Sequence, residues 1–279
     1  MNRKHLPWQM LSCFNKERNT LNLHFVFNFI RHYLSATFID VLHSPFIFSL
    51  YQTCIKRQDA NDYKIIEQLR TELKNNPTEL FYSDFGASQK SRKTTLNKLA
   101  KQHLKPARIA QILARMASKY PHQTYLELGT SLGISTCYLA KFAATNAKIY
   151  TIEACEPVRE VALQNFKVLG LQDKIESELG NFDEVLPELL PKIGKLDFFF
   201  IDGNHSYEAT LRYFEMAKPY LHNDSVIVFD DIYWSKGMTQ AWQEIKADPM
   251  VRVSVDLFFV GMVFFRKEQV KEAFQLRIL

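Results

Sequence analysis

From Thr124 to Phe265 the chain alternates short β-branched or aromatic runs with longer stretches of helical periodicity. The strand candidates are TYLEL, AKIYTI, KIESEL, LDFFFID, SVIVFD, VRVSVDL and FFVGMVFF. Between the first five lie ISTCYLAKFAAT, VREVALQNFKVLG, FDEVLPELL and YEATLRYFEMAKPYL, each long enough for a crossover helix. This order predicts a parallel sheet covered by helices on both faces. The last two candidates, Val251–Leu257 and Phe258–Phe265, are separated by almost nothing. No crossover helix fits between them, so an antiparallel final strand is expected.

The first third differs chemically from the rest. Residues 1–120 carry 19 Lys and Arg against 8 Asp and Glu, whereas residues 121–279 carry 16 against 22. We therefore divide the chain into a basic, mostly helical N-terminal region, 1–120, and an α/β domain, 121–279, with Pro121 at the boundary. A loop is expected around FYSDFGASQKSRK, where Gly, Ser and charges break the periodicity. Between Asp84 and Glu127 there is no acid, but Lys90, Arg92, Lys93, Lys98, Lys101, Lys105, Arg108, Arg115 and Lys119 are all present. Such a run can serve an anionic substrate, nucleic acid or a lipid surface. Without interleaved aromatics or a nucleic-acid motif, it reads more simply as a solvated face, and nucleic acid is not the expected partner.

LNLHFVFNFIRHYLSATFIDVLHSPFIFSLY is interrupted by Arg31, His32, Asp40 and Pro45 and reads as amphipathic helices rather than a span. A membrane-surface anchor is the competing reading. Cys13, Cys54, Cys137 and Cys155 show neither CxxC spacing nor a Cys/His cluster, and the N-terminus lacks an apolar signal segment. A reducing cytoplasm is the expected setting.

In an open parallel sheet, ligands bind outside the carboxyl ends of the strands. The first such turn is LELGTSLGIS. Gly129 and Gly133 allow a tight approach, and the following helix offers free N–H groups. A dinucleotide fingerprint is not met, because Ser131 and Ile134 stand at its second and third glycine positions. Glu127 would repel a phosphate but suits an ammonium group, and Glu153, ending the second strand, suits the hydroxyls of a ribose. S-adenosylmethionine combines an amino-acid end with a ribose. Glu127, Gly129, Ser131, Gly133, Ser135 and Glu153 resemble the donor-binding set of class I methyltransferases. The resemblance adds Gly180, Asn181 and Phe182 after the third strand as adenine contacts, although Phe182 also suits the core of the next helix.

Asp202 ends the fourth strand candidate, and Asp230 and Asp231 end the fifth. Neighbouring strands would bring the three carboxylates into one cleft, and three like charges call for a cation. Mg²⁺ or another hard divalent ion suits oxygen ligands of this kind. The structural alternative is helix capping. His205, three residues beyond Asp202, is a candidate general base.

Taken in order, ELGTSLGIS, TIEA, GNFDE, FIDGNH and VFDDI resemble metal-dependent O-methyltransferases of the catechol and, more closely, the macrocin type. The catechol enzymes have a lysine where His205 stands and an Asp-Asn pair where Asp230 and Asp231 stand. HSPFIFSLY and FYSDFGAS also resemble bacterial methyltransferases of the Bacteroidetes type. The resemblance implies a Rossmann-like, seven-stranded mixed sheet in the order 3-2-1-4-5-7-6, and Asp202 also touching the donor. It further implies methyl transfer to a hydroxyl of a small-molecule acceptor, with the N-terminal helices as acceptor site, lid or homodimer contact. Three other readings stand beside it: a metal-independent methyltransferase acting on N or O, an NAD-dependent oxidoreductase, and a non-enzymatic membrane or nucleic-acid module.

Overall fold

The computed structural model describes residues 14–15, 20–37, 43–56, 61–83 and 91–278. Its sheet is organised around two runs that are apolar at nearly every position. Phe198–Ile201 (β8) and Val226–Asp230 (β9) are buried along their whole length. Alternate side chains enter opposite layers, as a strand buried on both faces requires. Phe198, Phe200, Val226 and Val228 join one apolar cluster, while Phe199, Ile201, Ile227 and Phe229 join the other.

Around this pair lie β5 (Thr124–Leu128), β6 (Lys148–Glu153) and β7 (Ile175–Leu179) on one side, and β10 (Val253–Asp256), β11 (Val260–Phe264) and β12 (Glu272–Gln275) on the other. The sheet order is β12-β10-β11-β9-β8-β5-β6-β7. Strands β5 to β9 pair in parallel, whereas β11 runs antiparallel to both β9 and β10. The first seven strands follow the expected order. The count does not, because β12 adds an eighth strand parallel to β10. Its EAFQ sequence is half-exposed and lies at an edge, so no apolar alternation marks it.

Helices α6 (Ile134–Phe142) and α7 (Glu156–Val168) cover one face, and α8 (Phe182–Ile193), α9 (Tyr207–Ala217) and α10 (Lys236–Ala247) cover the other. The N-terminal third adds to both layers. Residues of α2 (Pro45–Leu50), α3 (Lys64–Asn75), α4 (Leu96–His103) and α5 (Ala107–Lys119) share the α6–α7 core, so apolar packing continues across the boundary at Pro121. Phe25 of α1 (Leu23–Ser35) packs on the opposite face. His32 of the same helix pairs with Asp256 at 3.1 Å, and Asp256 also accepts from Tyr233 Oη at 2.6 Å. The outer side of α1 leaves Leu23, Phe27 and Leu34 exposed at 72%, 66% and 74%. Among the described residues, no helix is long and apolar enough to cross a membrane.

The N-terminal region is not wholly helical. The short strands Phe14–Asn15 (β1) and Thr20–Leu21 (β2) pair antiparallel, as do Glu79–Ser83 (β3) and Ser91–Thr95 (β4). The second hairpin takes both flanks of the stretch expected to be a loop; residues 84–90 lie outside the described residues. Strand β4 faces solvent over SRK. Of the hairpin's described apolar side chains, only Leu80 and Tyr82 pack on the core, and both are half-buried, so the apolar period it carries is too short to read. Cys54, Cys137 and Cys155 are buried free thiols, and Cys13, Asp40 and Lys90 lie outside the described residues.

Candidate active site

The turn from β5 into α6 is built on two left-handed glycines. Gly129 has φ +92°, and a Cβ there would stand 2.1 Å from the backbone oxygen of Asp202. Gly133, with φ +77°, would drive a Cβ to 2.6 Å from the Phe166 ring. The turn therefore lies hard against the carboxyl end of β8. Ser131 is also left-handed, at φ +48°, and its N–H donates to Glu153 Oε2 at 2.8 Å. Cys155 N–H donates to Glu153 Oε1 at 2.9 Å. Glu153 thus clasps the glycine turn to the end of β6 while staying half-buried.

Glu127 lies beneath that turn with no exposed surface. It accepts from the hydroxyls of Thr136 and Thr151, the latter at 2.9 Å. Its Oε1 has no hydrogen-bond partner among the described residues. Burial pushes its carboxyl up to about 7, against the pull of Ser135, Thr136 and Thr151. Ser135 is buried in the first turn of α6.

Beyond β7, Gly180 is left-handed and Asn181 caps α8, its Oδ1 accepting from Asp183 N at 3.0 Å. Phe182 lies over Gly203, where a Cβ would meet its ring at 2.6 Å, and sits edge-on to Tyr213 at 5.9 Å. It is half-buried, between the two roles open to it in the sequence.

Ligand atoms of Asp202, His205 and Asp230 all lie within 4.8 Å of one another. His205 Nε2 is 3.7 Å from Asp202 Oδ1. Asp231 does not join this donor cluster. It takes φ +54°, its N–H donates to Phe259 O at 2.8 Å, and its carbonyl accepts from Trp234 N at 2.9 Å.

A family profile described as a methyltransferase domain matches residues 126–232, the segment from β5 to just past β9. The chain carries a methyltransferase domain. It is 30% identical over 132 residues to a catechol O-methyltransferase of Mycobacterium tuberculosis, covering 47% of this chain and 58% of that protein. It is 28% identical over 123 residues to a catechol O-methyltransferase of Niastella koreensis, covering 44% and 53%. The chain thus spans a little over half the length of these curated relatives. Among solved structures, the O-methyltransferase from Bacillus cereus in complex with SAH superposes with TM-score 0.54 at 19% identity, over 81% of this chain and all of that one. The O-methyltransferase TomG from Streptomyces achromogenes in complex with SAM does so with TM-score 0.55 at 16% identity, over 78% and 95%. These likenesses show that the fold is that of a class I methyltransferase.

The methyltransferase domain supplies the carboxylates, but the cation facing them comes from outside the matched segment. Lys105, between α4 and α5, places Nζ 2.8 Å from Asp202 Oδ1 and bonds Asp230 Oδ2. Burial pulls its ammonium down, but Asp202, Asp230 and Asp231 outweigh it and hold the group well above its ordinary range. Burial raises Asp202 and, with repulsion from Asp231, raises Asp230 well above the usual carboxylate range, although Lys105 opposes both shifts. One ammonium between two buried carboxylates leaves a net negative charge, which holds the ammonium protonated and adds to the burial that raises Asp230. A divalent ion bound to Asp202 and Asp230 does not fit while the ammonium lies between them.

Lys105 stood unmarked among nine basic residues. Three converging carboxylates call for a cation, yet nothing in the spacing says which lysine folds back onto the sheet. Asn204 also gains a place: it is left-handed at φ +49°, a conformation asparagine tolerates, and its Nδ2 donates to Tyr213 Oη at 3.1 Å. That fixes the turn presenting His205.

Proposed function

We propose that the domain transfers a methyl group from S-adenosylmethionine to a hydroxyl oxygen of a small-molecule acceptor. The observation that carries this reading is the meeting of three strand ends around one turn: Glu153 clasps the Gly129–Gly133 turn, which abuts the backbone of Asp202. The donor, when bound, supplies an electrophilic methyl group on sulfur. Glu153 would grip the ribose hydroxyls, and the unpartnered Oε1 of buried Glu127 suits the ammonium end. Gly180, Asn181 and Phe182 would border the adenine.

His205 is half-exposed on the turn after β8 and is the group we assign to take the acceptor's proton as oxygen attacks carbon. Residues 1–120 would wall the acceptor pocket. A divalent ion on Asp202, His205 and Asp230 would polarise the hydroxyl instead, and the 4.8 Å clustering of those donors favours that second reading. It requires Lys105 to leave, so no step is assigned to it.

Differential scanning of the full chain with S-adenosylhomocysteine and, separately, NAD tests the proposal. Stabilisation by the first and not the second is expected. Stabilisation by NAD alone overturns it.

A further inference from the structure

We propose that Lys105 is a resident cation standing where a divalent metal would, between Asp202 and Asp230, so that the site works without metal. The proposal rests on the methyl-transfer reading for its functional meaning, but the charge assignment stands on geometry.

The ammonium lies 2.8 Å from Asp202 Oδ1 and also bonds Asp230 Oδ2. The three side chains are 16%, 11% and 4% exposed. Charges this far from water are weakly screened, and removing the ammonium would leave two carboxylates facing each other at low dielectric. A metal ion bound to the same oxygens would have to enter the volume Nζ occupies and would meet a like charge there. One cation excludes the other.

Lys105 is also held from behind. Arg70, itself buried, donates from Nη1 to the Lys105 carbonyl at 2.5 Å. Its Nε lies 3.3 Å from Glu67 Oε2, and Glu67 accepts from the Tyr138 hydroxyl. Pro106 follows immediately and restricts the backbone of Lys105 to extended conformations. The lysine therefore projects from a fixed base, unlike a surface side chain that happens to reach a carboxylate.

This arrangement bears on the acceptor. An ammonium has three N–H donors, and two are committed to Asp202 and Asp230. One remains among the described residues, enough for one oxygen. A divalent ion would take two adjacent oxygens, so the resident lysine points to an acceptor with a single hydroxyl rather than a chelating vicinal pair.

The test is Mn²⁺ binding to the full-length protein, stripped of metal by chelator and followed by electron paramagnetic resonance, with melting temperature as a second readout. Wild type and Lys105→Arg should take up no Mn²⁺ and show no shift. Lys105→Met should bind one equivalent, at least about tenfold more tightly than wild type, and should gain melting temperature with Mn²⁺. A lysine with only a structural role would not produce that gain. Stoichiometric uptake by wild type overturns the proposal, as does absence of uptake by folded Lys105→Met. If Lys105→Met does not fold, wild type and Lys105→Arg decide: exclusion by both supports the assignment, and uptake by either overturns it. Binding of S-adenosylhomocysteine is measured on the same wild-type sample. Its absence alongside Mn²⁺ exclusion would remove the methyltransferase reading and leave the cation assignment standing.

Discussion

Arg70 and Lys105, 35 residues apart, are joined by a 2.5 Å hydrogen bond from guanidinium to backbone carbonyl. Through it α3, which touches none of the carboxylates, determines where the ammonium facing Asp202 and Asp230 begins its reach. Arg70→Leu keeps most of the apolar stem but strands Glu67 and the Lys105 carbonyl. We expect a loss of about 1–3 kcal/mol in urea unfolding, the cost of leaving a buried hydrogen-bonding group unsatisfied. The double variant with Glu67→Leu should recover part of it. Equal losses in single and double variants would show that the pair is not what Arg70 contributes.

Glu127 predicts a pH dependence. Its folded carboxyl is raised to about 7 by burial, from an ordinary 4.5. A raised group contributes stability that is fully present below its unfolded value and is lost as pH rises through its folded one. Between pH 4.5 and 7 the contribution of Glu127 should therefore decline, by about 3 kcal/mol in all. Glu127→Gln should flatten that part of the profile, read by chemical denaturation at half-unit steps. A slope unchanged in the variant would place its origin elsewhere.

The two glycines of the donor turn should not be equivalent. At Gly129 a methyl group meets a backbone oxygen at 2.1 Å, whereas at Gly133 it meets the side chain of Phe166 at 2.6 Å. Both are left-handed and cost about 1–2 kcal/mol on that ground alone. Phe166 can tilt, but the carbonyl of Asp202 cannot move without displacing β8. Gly129→Ala should abolish S-adenosylhomocysteine binding by calorimetry, and Gly133→Ala should only weaken it.

His205→Gln removes a candidate base from a half-exposed turn and should leave donor binding intact. Turnover on an accepted hydroxyl substrate should fall by about 10²–10⁴. Asn204→Ala should act on the same turn indirectly, lowering turnover less and melting temperature more, because it places a left-handed alanine there and frees Tyr213 Oη. Unchanged turnover in His205→Gln would assign the proton to another group.

Much of the framework was legible because it depends on local pattern. The run LDFFFID is apolar at successive positions because helices cover both its faces, and its final aspartate marks where cover ends. The glycines of LELGTSLGIS announce a turn only they can make. What escaped reading depends on non-local contact. EAFQ pairs with β10 at an exposed edge, so no burial pattern records it. The β3–β4 hairpin has polar residues on its solvent side and looks like a loop. Lys105 meets Asp230 across 125 residues, and no periodicity connects them. Converging carboxylates require a cation, and the Lys105 ammonium meets that requirement in part, with one positive charge between Asp202 and Asp230. Asp231, expected as a ligand, lies outside the donor group of Asp202, His205 and Asp230, although its charge still acts on that group.

The segment matched by the family profile begins at residue 126, and Lys105 precedes it. Transplanting that segment into a relative, or grafting a relative's N-terminal region onto this one, would therefore separate the carboxylates from their counter-charge. Such a chimera would inherit either an unbalanced acidic pit open to metal or a surplus lysine crowding a bound ion. The N-terminal region and the sheet must be exchanged as one unit if the electrostatic state of the site is to survive recombination.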